Sequence, residues 1–217
     1  MVRELGKTNS VFNQFLSEIR DIHIQQDRLR FRRNLERMGE IFAYEISKEL
    51  PYEEKDVITP LGTAHMQVIQ QQPLLATILR AGIPLHQGML NFFDYAENAF
   101  ISAYRKYDAD EGFVIKLEYV SSPTTESRIL IISDPMLATG GSLVAAIKGL
   151  LEKGMPKEIH IVSVLASNEG IQFLKKTFSK YKIKIWTGTI DDELTAKAYI
   201  VPGLGDAGDL AYGKKED

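Results

Sequence analysis

Apolar residues near the start of the chain recur at helical spacing. Phe12, Phe15, Leu16 and Ile19 step by i, i+3, i+4 and i+7, and Phe31, Leu35, Met38, Phe42 and Ile46 form a similar stripe further on. Such stripes predict amphipathic helices within residues 1–50. Past Pro51 the texture changes. Leu74–Leu79, Asn98–Tyr104, Ile129–Ile132, Glu158–Ala166 and Ile183–Trp186 read as short apolar strands, with helical stretches at Pro84–Phe93, Gly141–Lys153 and Glu169–Lys180. Nearly continuous apolar strands alternating with helices predict a parallel sheet covered on both faces, an α/β fold preceded by a helical segment. Lys106–Ser127 departs from this alternation. Inside it Phe113, Ile115, Leu117 and Tyr119 alternate with Val114, Lys116, Glu118 and Val120. Period two predicts an amphipathic strand, one arm of a hairpin projecting between two core strands. That arm is an edge or dimer hairpin, or a flap over a site.

Candidate chemistry concentrates where strands end. Ile129–Ser133 delivers Asp134, followed by Pro135, Met136, Leu137, Ala138, Thr139, Gly140, Gly141 and Ser142, where a helix begins. Glycines let backbone N–H groups approach a phosphate closely, and a helix N-terminus favours an anion. Ligands of open α/β sheets sit at the carboxyl ends of strands. The alternative is a structural turn with Ser142 as helix cap. Arg80 and Arg105 also end predicted strands; they are surface ion pairs or guanidinium forks for phosphate oxygens. Gly203–Gly208 matches Gly-x-Gly-x-x-Gly, but only nine residues follow it, which predicts no nucleotide-binding helix-and-strand unit. It offers instead an irregular glycine-rich chain with two acids, Asp206 and Asp209, docked by the stiff segment Tyr199–Pro202.

Composition narrows the class. With no cysteine, disulfides, thiolate metal sites and cysteine nucleophiles are excluded. The 217 residues carry a net charge of −3, against the basic excess typical of nucleic-acid binders. Arg28, Arg30, Arg32, Arg33 and Arg37 lie on one early helix and read as a solvated face, with a subunit contact or anion site as alternatives. His23, His65, His86 and His160 stand apart, without metal-ligand spacing, and Asp191–Glu193 reads as a solvated acidic turn. No Gly-x-Ser-x-Gly elbow is present. No apolar run is long enough to span a bilayer, and residues 1–12 have no signal-peptide core, so a cytoplasmic globular protein is expected.

Asp134–Ser142 resembles the phosphoribosyl-pyrophosphate (PRPP) loop of uracil phosphoribosyltransferases, and Tyr199–Asp209 resembles their uracil-binding segment. Leu79–Gly82 and Tyr104–Arg105 fall where that family has its pyrophosphate and phosphate arginines. The resemblance implies a type I phosphoribosyltransferase fold in one domain: a core parallel sheet with an N-terminal helical segment (1–50), a hairpin arm (106–127) and a C-terminal base-binding hood (190–217). It implies PRPP held by Arg80, Arg105, Asp134–Ser142 and Asp206, and uracil held by Ile200, Gly205, Asp206 and Ala207. Asp206 and Arg105 are the implied catalytic residues. The implied products are UMP and pyrophosphate, with Mg²⁺ carried mainly by PRPP rather than by a protein metal site. The implied partners are the two small substrates and further copies of the chain, as a homodimer or larger homo-oligomer. Asp134-Pro135, where wider relatives have two adjacent acids, agrees with the uracil branch. Leu210 stands where the family usually has a basic residue. The alternative on the same fold is a pyrimidine-responsive RNA attenuator with weak transferase activity.

Overall fold

The computed structural model describes residues 1–108 and 112–214, with the backbone alone for 104–108 and 112–116. In chain order the elements are β1 (Val2–Glu4), α1 (Val11–Arg20), α2 (Arg28–Ser47), β2 (Tyr52–Thr59), β3 (Gly62–Ile69), β4 (Leu74–Leu79), α3 (Ile83–Leu90), β5 (Glu97–Asp108) and β6 (Gly112–Ser121). They continue with β7 (Ile129–Ser133), β8 (Met136–Leu137), α4 (Gly141–Leu151), β9 (Glu158–Ser167), α5 (Asn168–Thr177), β10 (Ile183–Asp191), β11 (Glu193–Leu194), β12 (Ile200–Val201) and α6 (Ala207–Tyr212).

The main sheet runs β1-β10-β9-β7-β4-β5-β6, with the short β8 also pairing to β9. Every pair in it is parallel except β5–β6. The expected parallel sheet flanked by helices is therefore the fold. Along β7 the side chains divide between two cores. Ile129 and Ile131 join a cluster with Phe12, Leu35, Met38 and Leu85 from α1–α3. Leu130 and Ile132 join one with Leu143, Ile147 and Leu174 from α4 and α5. Both faces being dry is why these strands read as continuous apolar runs.

The helical stripes seat as their spacing predicts. Phe12, Leu16 and Ile19 of α1 and Phe31, Leu35, Met38, Phe42 and Ile46 of α2 are buried, and Phe12 meets Phe42 edge-on at 5.3 Å. Ser10 and Asp27 start these helices, accepting N–H bonds from Phe12 at 3.2 Å and Arg30 at 3.0 Å.

The hairpin near residues 106–127 lies at the sheet edge, and its turn, 109–111, falls outside the described residues. Its first arm is the extension of β5, and β6 closes the sheet edge against it, with Ile101 opposite Val120. Among the described side chains the strict alternation does not hold: Leu117 and Val120 both meet α4, 2.8 and 3.4 Å from a Cβ built at Gly149, while Tyr119 is exposed, because the β5–β6 register shifts at Glu118. A second hairpin, β2–β3, pairs only with itself. All eight residues of β2 are exposed, so no alternating apolar pattern marks it. Among the described residues no helix is long and apolar enough to cross a membrane.

Candidate active site

The parallel register of β4 and β7 brings two loops to one edge. Thr77 lies opposite Ser133, so Arg80 and Asp134 follow adjacent strand ends. Thr77 Oγ1 donates to Ser133 O at 3.2 Å, tying those ends together. The turn after Arg80 folds tightly back. A Cβ at Gly82 would lie 2.6 Å from Ile78 O and run into Thr77 Oγ1, so only glycine fits.

The 134–142 loop is anchored by part of itself and opened by the rest. Val164 and Leu165 N–H both donate to Pro135 O at 3.0 Å, and Leu137 is fully buried. The side chains of Pro135 and Leu137 thus fix the loop from within, and what these two residues can present to a ligand is backbone. Met136 N–H donates to Asp134 Oδ1 at 3.4 Å. Beyond them Gly140 adopts φ +84° and, as the N-cap of α4, has no side chain to offer the helix's first N–H groups. Ser142 is not the cap. Those donors face a small hollow lined by Asp134, Met136 and Ala138–Leu143. Thr139 Oγ1 lies 3.5 Å from Gly141 N, within the same loop.

Sequence reading missed the support beneath this loop. Ser167, the N-cap of α5, accepts from Gly170 N–H at 2.9 Å and donates from Oγ to Ala138 O at 2.6 Å. Gly170 carries no side chain because Ala138 O occupies that space. Ser167 ends β9 and Gly170 lies in the first turn of α5, which was the available signal for a loop-bracing helix start.

The C-terminal segment forms the other wall. β12 pairs antiparallel with β11, placing Ile200 opposite Leu194 and burying it. Gly205 (φ +95°) is exposed and has open space around it. Asp206 caps α6, its Oδ1 accepting Asp209 N–H at 3.0 Å, and Ala207 is buried beneath the cap. Arg80 bridges the walls. Its Nη2 lies 3.5 Å from Asp209 Oδ1 and would stand 3.8 Å from a Cβ at Gly208. A wider cavity of about 670 Å³ opens beside this wall, between Leu204–Asp206 and the start of α2 at Gln25–Leu29.

Arg80 and Asp134 thus follow adjacent strand ends, Asp134 and Thr139–Ser142 line one hollow, and Arg80 meets Asp209 on the helix that Asp206 caps. The side chain of Arg105 lies outside the described residues; its backbone is in β5, opposite Ile115. The arginine run is not a plain solvated face. Arg30 forks onto buried Glu18 at 2.9 and 2.8 Å, and Arg32 donates to Ala211 O at 2.7 Å, holding α6. Arg30, with Gln14 and Asn34, lowers the Glu18 carboxyl to about 2. His86 and His160 are buried structural groups. Burial pushes His86 down to about 4, although its Nε2 contacts Asn98 Oδ1 at 2.8 Å.

A family model described as uracil phosphoribosyltransferase matches residues 7–214. A uracil phosphoribosyltransferase of Porphyromonas gingivalis is 54% identical over 214 residues, covering 99% of this chain and 99% of that one. One from Thermococcus gammatolerans is 36% identical over 203 residues, covering 92% of this chain and 88% of its own. Among solved structures, the AQ2163 protein of Aquifex aeolicus superposes with a TM-score of 0.87 at 30% identity, over 98% of both chains.

Proposed function

The chain belongs to the uracil phosphoribosyltransferase family, and from that premise we propose that it joins uracil to PRPP, giving UMP and pyrophosphate. The bond from ribose C1′ to pyrophosphate oxygen breaks, a bond from C1′ to uracil N1 forms, and the N1 proton leaves. Arg80 reaching the α6 wall at Asp209 is the observation that carries the assignment, since it sets a pyrophosphate cation against the base-reading segment.

Each group has work suited to its chemistry. The N–H donors at the start of α4, with the Thr139 hydroxyl that now takes only a long 3.5 Å bond from Gly141 N–H, bind the 5′-phosphate. Asp134 accepts from the ribose hydroxyls. Arg80 and Arg105 offset charge growing on the departing pyrophosphate. Substitution at an anomeric carbon passes through an oxocarbenium-like state, so the walls must also hold water away. Asp206 orders the junction of ribose and base; with one oxygen spent on its own helix, the other is available to the N1 proton. Backbone groups at Ile200 and Gly205–Ala207 read uracil's edge.

Mg²⁺ fits this face as a companion of PRPP. Mg²⁺ usually keeps substrate phosphates and waters around it, which PRPP's pyrophosphate supplies. When bound it supplies charge compensation on the pyrophosphate oxygens. We also propose a homo-oligomer in which a second copy covers the β2–β3 hairpin. A lone two-stranded hairpin is at best marginally stable, and this one exposes Val57, Ile58, Leu61 and Met66. No observation favours the RNA-regulator alternative.

The test is a product assay with PRPP, Mg²⁺ and uracil, cytosine, hypoxanthine or orotate. UMP should form from uracil, with cytosine used about 10⁴-fold less well, because its amino group and unprotonated ring nitrogen mismatch the backbone donors and acceptors of this segment. Preferred turnover of hypoxanthine or orotate would overturn the assignment.

A further inference from the structure

Asp191, expected in a solvated turn, is buried at the end of β10. Its Oδ2 accepts the buried Gly203 N–H at 2.9 Å. Arg20, the last residue of α1, forks onto the same carboxylate, Nη1 to Oδ1 at 3.2 Å and Nη2 to Oδ2 at 3.1 Å. Gly203 is the tightest point of the C-terminal turn: it holds φ +56°, and a Cβ there would run into Ile200 O. One carboxylate thus connects α1, the end of the sheet and the turn between Ile200 and Gly205. The loop-bearing α4 takes no part.

We infer that Arg20 and Asp191 are positioning residues for the base: they set the height of the Ile200–Gly205 turn and so the register of the backbone groups that read uracil. This rests on the function proposed above. A buried ion pair is a poor source of net stability but a good device for fixing one arrangement among several. Backbone readout needs such a device, because no side-chain rotamer can absorb an error in position and a site about 1 Å too loose loses its selectivity. The clamp is polarised. Its side-chain contacts go to the base-reading turn and to α1, while the phosphate loop is braced separately by the hydroxyl of its strand neighbour Ser167, so loss of the carboxylate should act first on uracil.

The experiment compares wild type, Asp191→Ala, Asp191→Asn and Arg20→Gln by steady-state kinetics and by hydrogen–deuterium exchange of the peptide covering residues 199–205. Asp191→Ala should raise the KM for uracil about tenfold or more, with the KM for PRPP within about twofold. It should also narrow the preference for uracil over cytosine and speed exchange in 199–205 while leaving β9 protected. Asp191→Asn, whose amide oxygen still accepts the Gly203 N–H, should recover most of the uracil KM; a general loss of stability would move both substrates together. If Asp191→Ala does not fold, Asp191→Asn and Arg20→Gln decide the matter, with smaller shifts in the same direction. Equal rises in both KM values, or unchanged exchange in 199–205, would overturn the clamp. A wild-type chain that makes no UMP would overturn the function instead, and the exchange comparison would still judge the clamp.

Discussion

Gly140 joins backbone conformation and binding in one residue. Its φ of +84° is costly for any residue with a Cβ, and a Cβ there would lie 3.2 Å from Gly170 O and 3.3 Å from Phe173 Cδ1. Gly140→Val should therefore cost about 1–3 kcal/mol of stability and weaken PRPP binding at least about tenfold, since the turn that presents the α4 donors must shift. Calorimetric titration of the folded variant checks this; wild-type affinity would remove phosphate binding from the loop. Buried titratable groups shape the acid response, Glu18 and His86 among them; Glu158, despite its burial, is likewise held below the usual carboxylate range by hydrogen bonds from His160, Lys182 and Lys184. The Glu18 carboxyl lies at about 2 in the folded protein, chiefly through its hydrogen bonds from Arg30, against 4.5 ordinarily. Its contribution is complete above 4.5 and drains away as the pH falls towards 2. His86 lies at about 4 against 6.5, because burial disfavours the charged ring. The unfolded chain takes up that proton first, so this share of stability fades between 6.5 and 4. The Glu18 and His86 shifts are each worth at most about 3 kcal/mol. Denaturant melts across pH should show His86→Gln flattening the upper window and Glu18→Gln the lower. A slope unchanged by either variant would mean that group does not drive acid unfolding.

At the scale of elements, α6 shows how a short helix is held in place. Its six residues are closed by Asp206 at the start and by Arg32 of α2, which donates to Ala211 O at 2.7 Å and lies 5.8 Å over the Tyr212 ring. Arg32→Ala removes both contacts, so kcat/KM should fall about tenfold as Asp206 and Asp209 lose their fixed stage, with a melting temperature lower by about 2–4 °C. Arg33→Ala is the control. Arg33 pairs with Glu36 from a position 53% exposed, where ion pairs contribute little, and both readouts should stay at wild type. Matching losses in the two variants would reduce Arg32 to general surface charge. The same scale explains what could be read in advance. Strands such as β4 and β7 were legible because both faces are buried and nearly every residue is apolar, Thr77 and Ser133 excepted. Asp134 and Arg80 were legible because strand ends of an α/β sheet converge. Asp191 was not, since its partner Arg20 lies 171 residues away and its local neighbours, Asp192 and Glu193, suggest only a polar turn. The arginine run was half legible: its helix was plain, but Arg30 and Arg32 find partners only after α1 and α6 have docked.

The whole molecule poses a question that neither core answers. Residues 52–69 rise as a two-stranded ribbon whose own ladder is its pairing, while Ile58 is 90% and Leu61 fully exposed at its tip. Burying each such side chain stabilises by about 1.5–3 kcal/mol, so a second copy of the chain covering this tip gains several kcal/mol that the free ribbon forgoes. That gain also offsets the entropy of ordering a ribbon too small to order itself. The base of the ribbon makes the idea testable without disturbing the fold. Gln70 N–H donates to Pro51 O at 3.0 Å, so the two ends already meet, and residues 52–69 can be replaced by a two-residue Asn-Gly turn. By light scattering the full chain should be a dimer or larger, and the shortened chain a monomer with an unchanged circular dichroism spectrum. The milder pair Ile58→Asp and Leu61→Asp keeps the ribbon while charging its tip. It should raise the dissociation constant about 100-fold or more, because two desolvated charges replace two apolar contacts. A full-length chain that is monomeric, or a shortened one that assembles as well as wild type, would place the interface elsewhere or remove it. If the shortened monomer also keeps its turnover of uracil, the hairpin serves assembly alone, and the Arg80–Asp209 face acts complete within one chain.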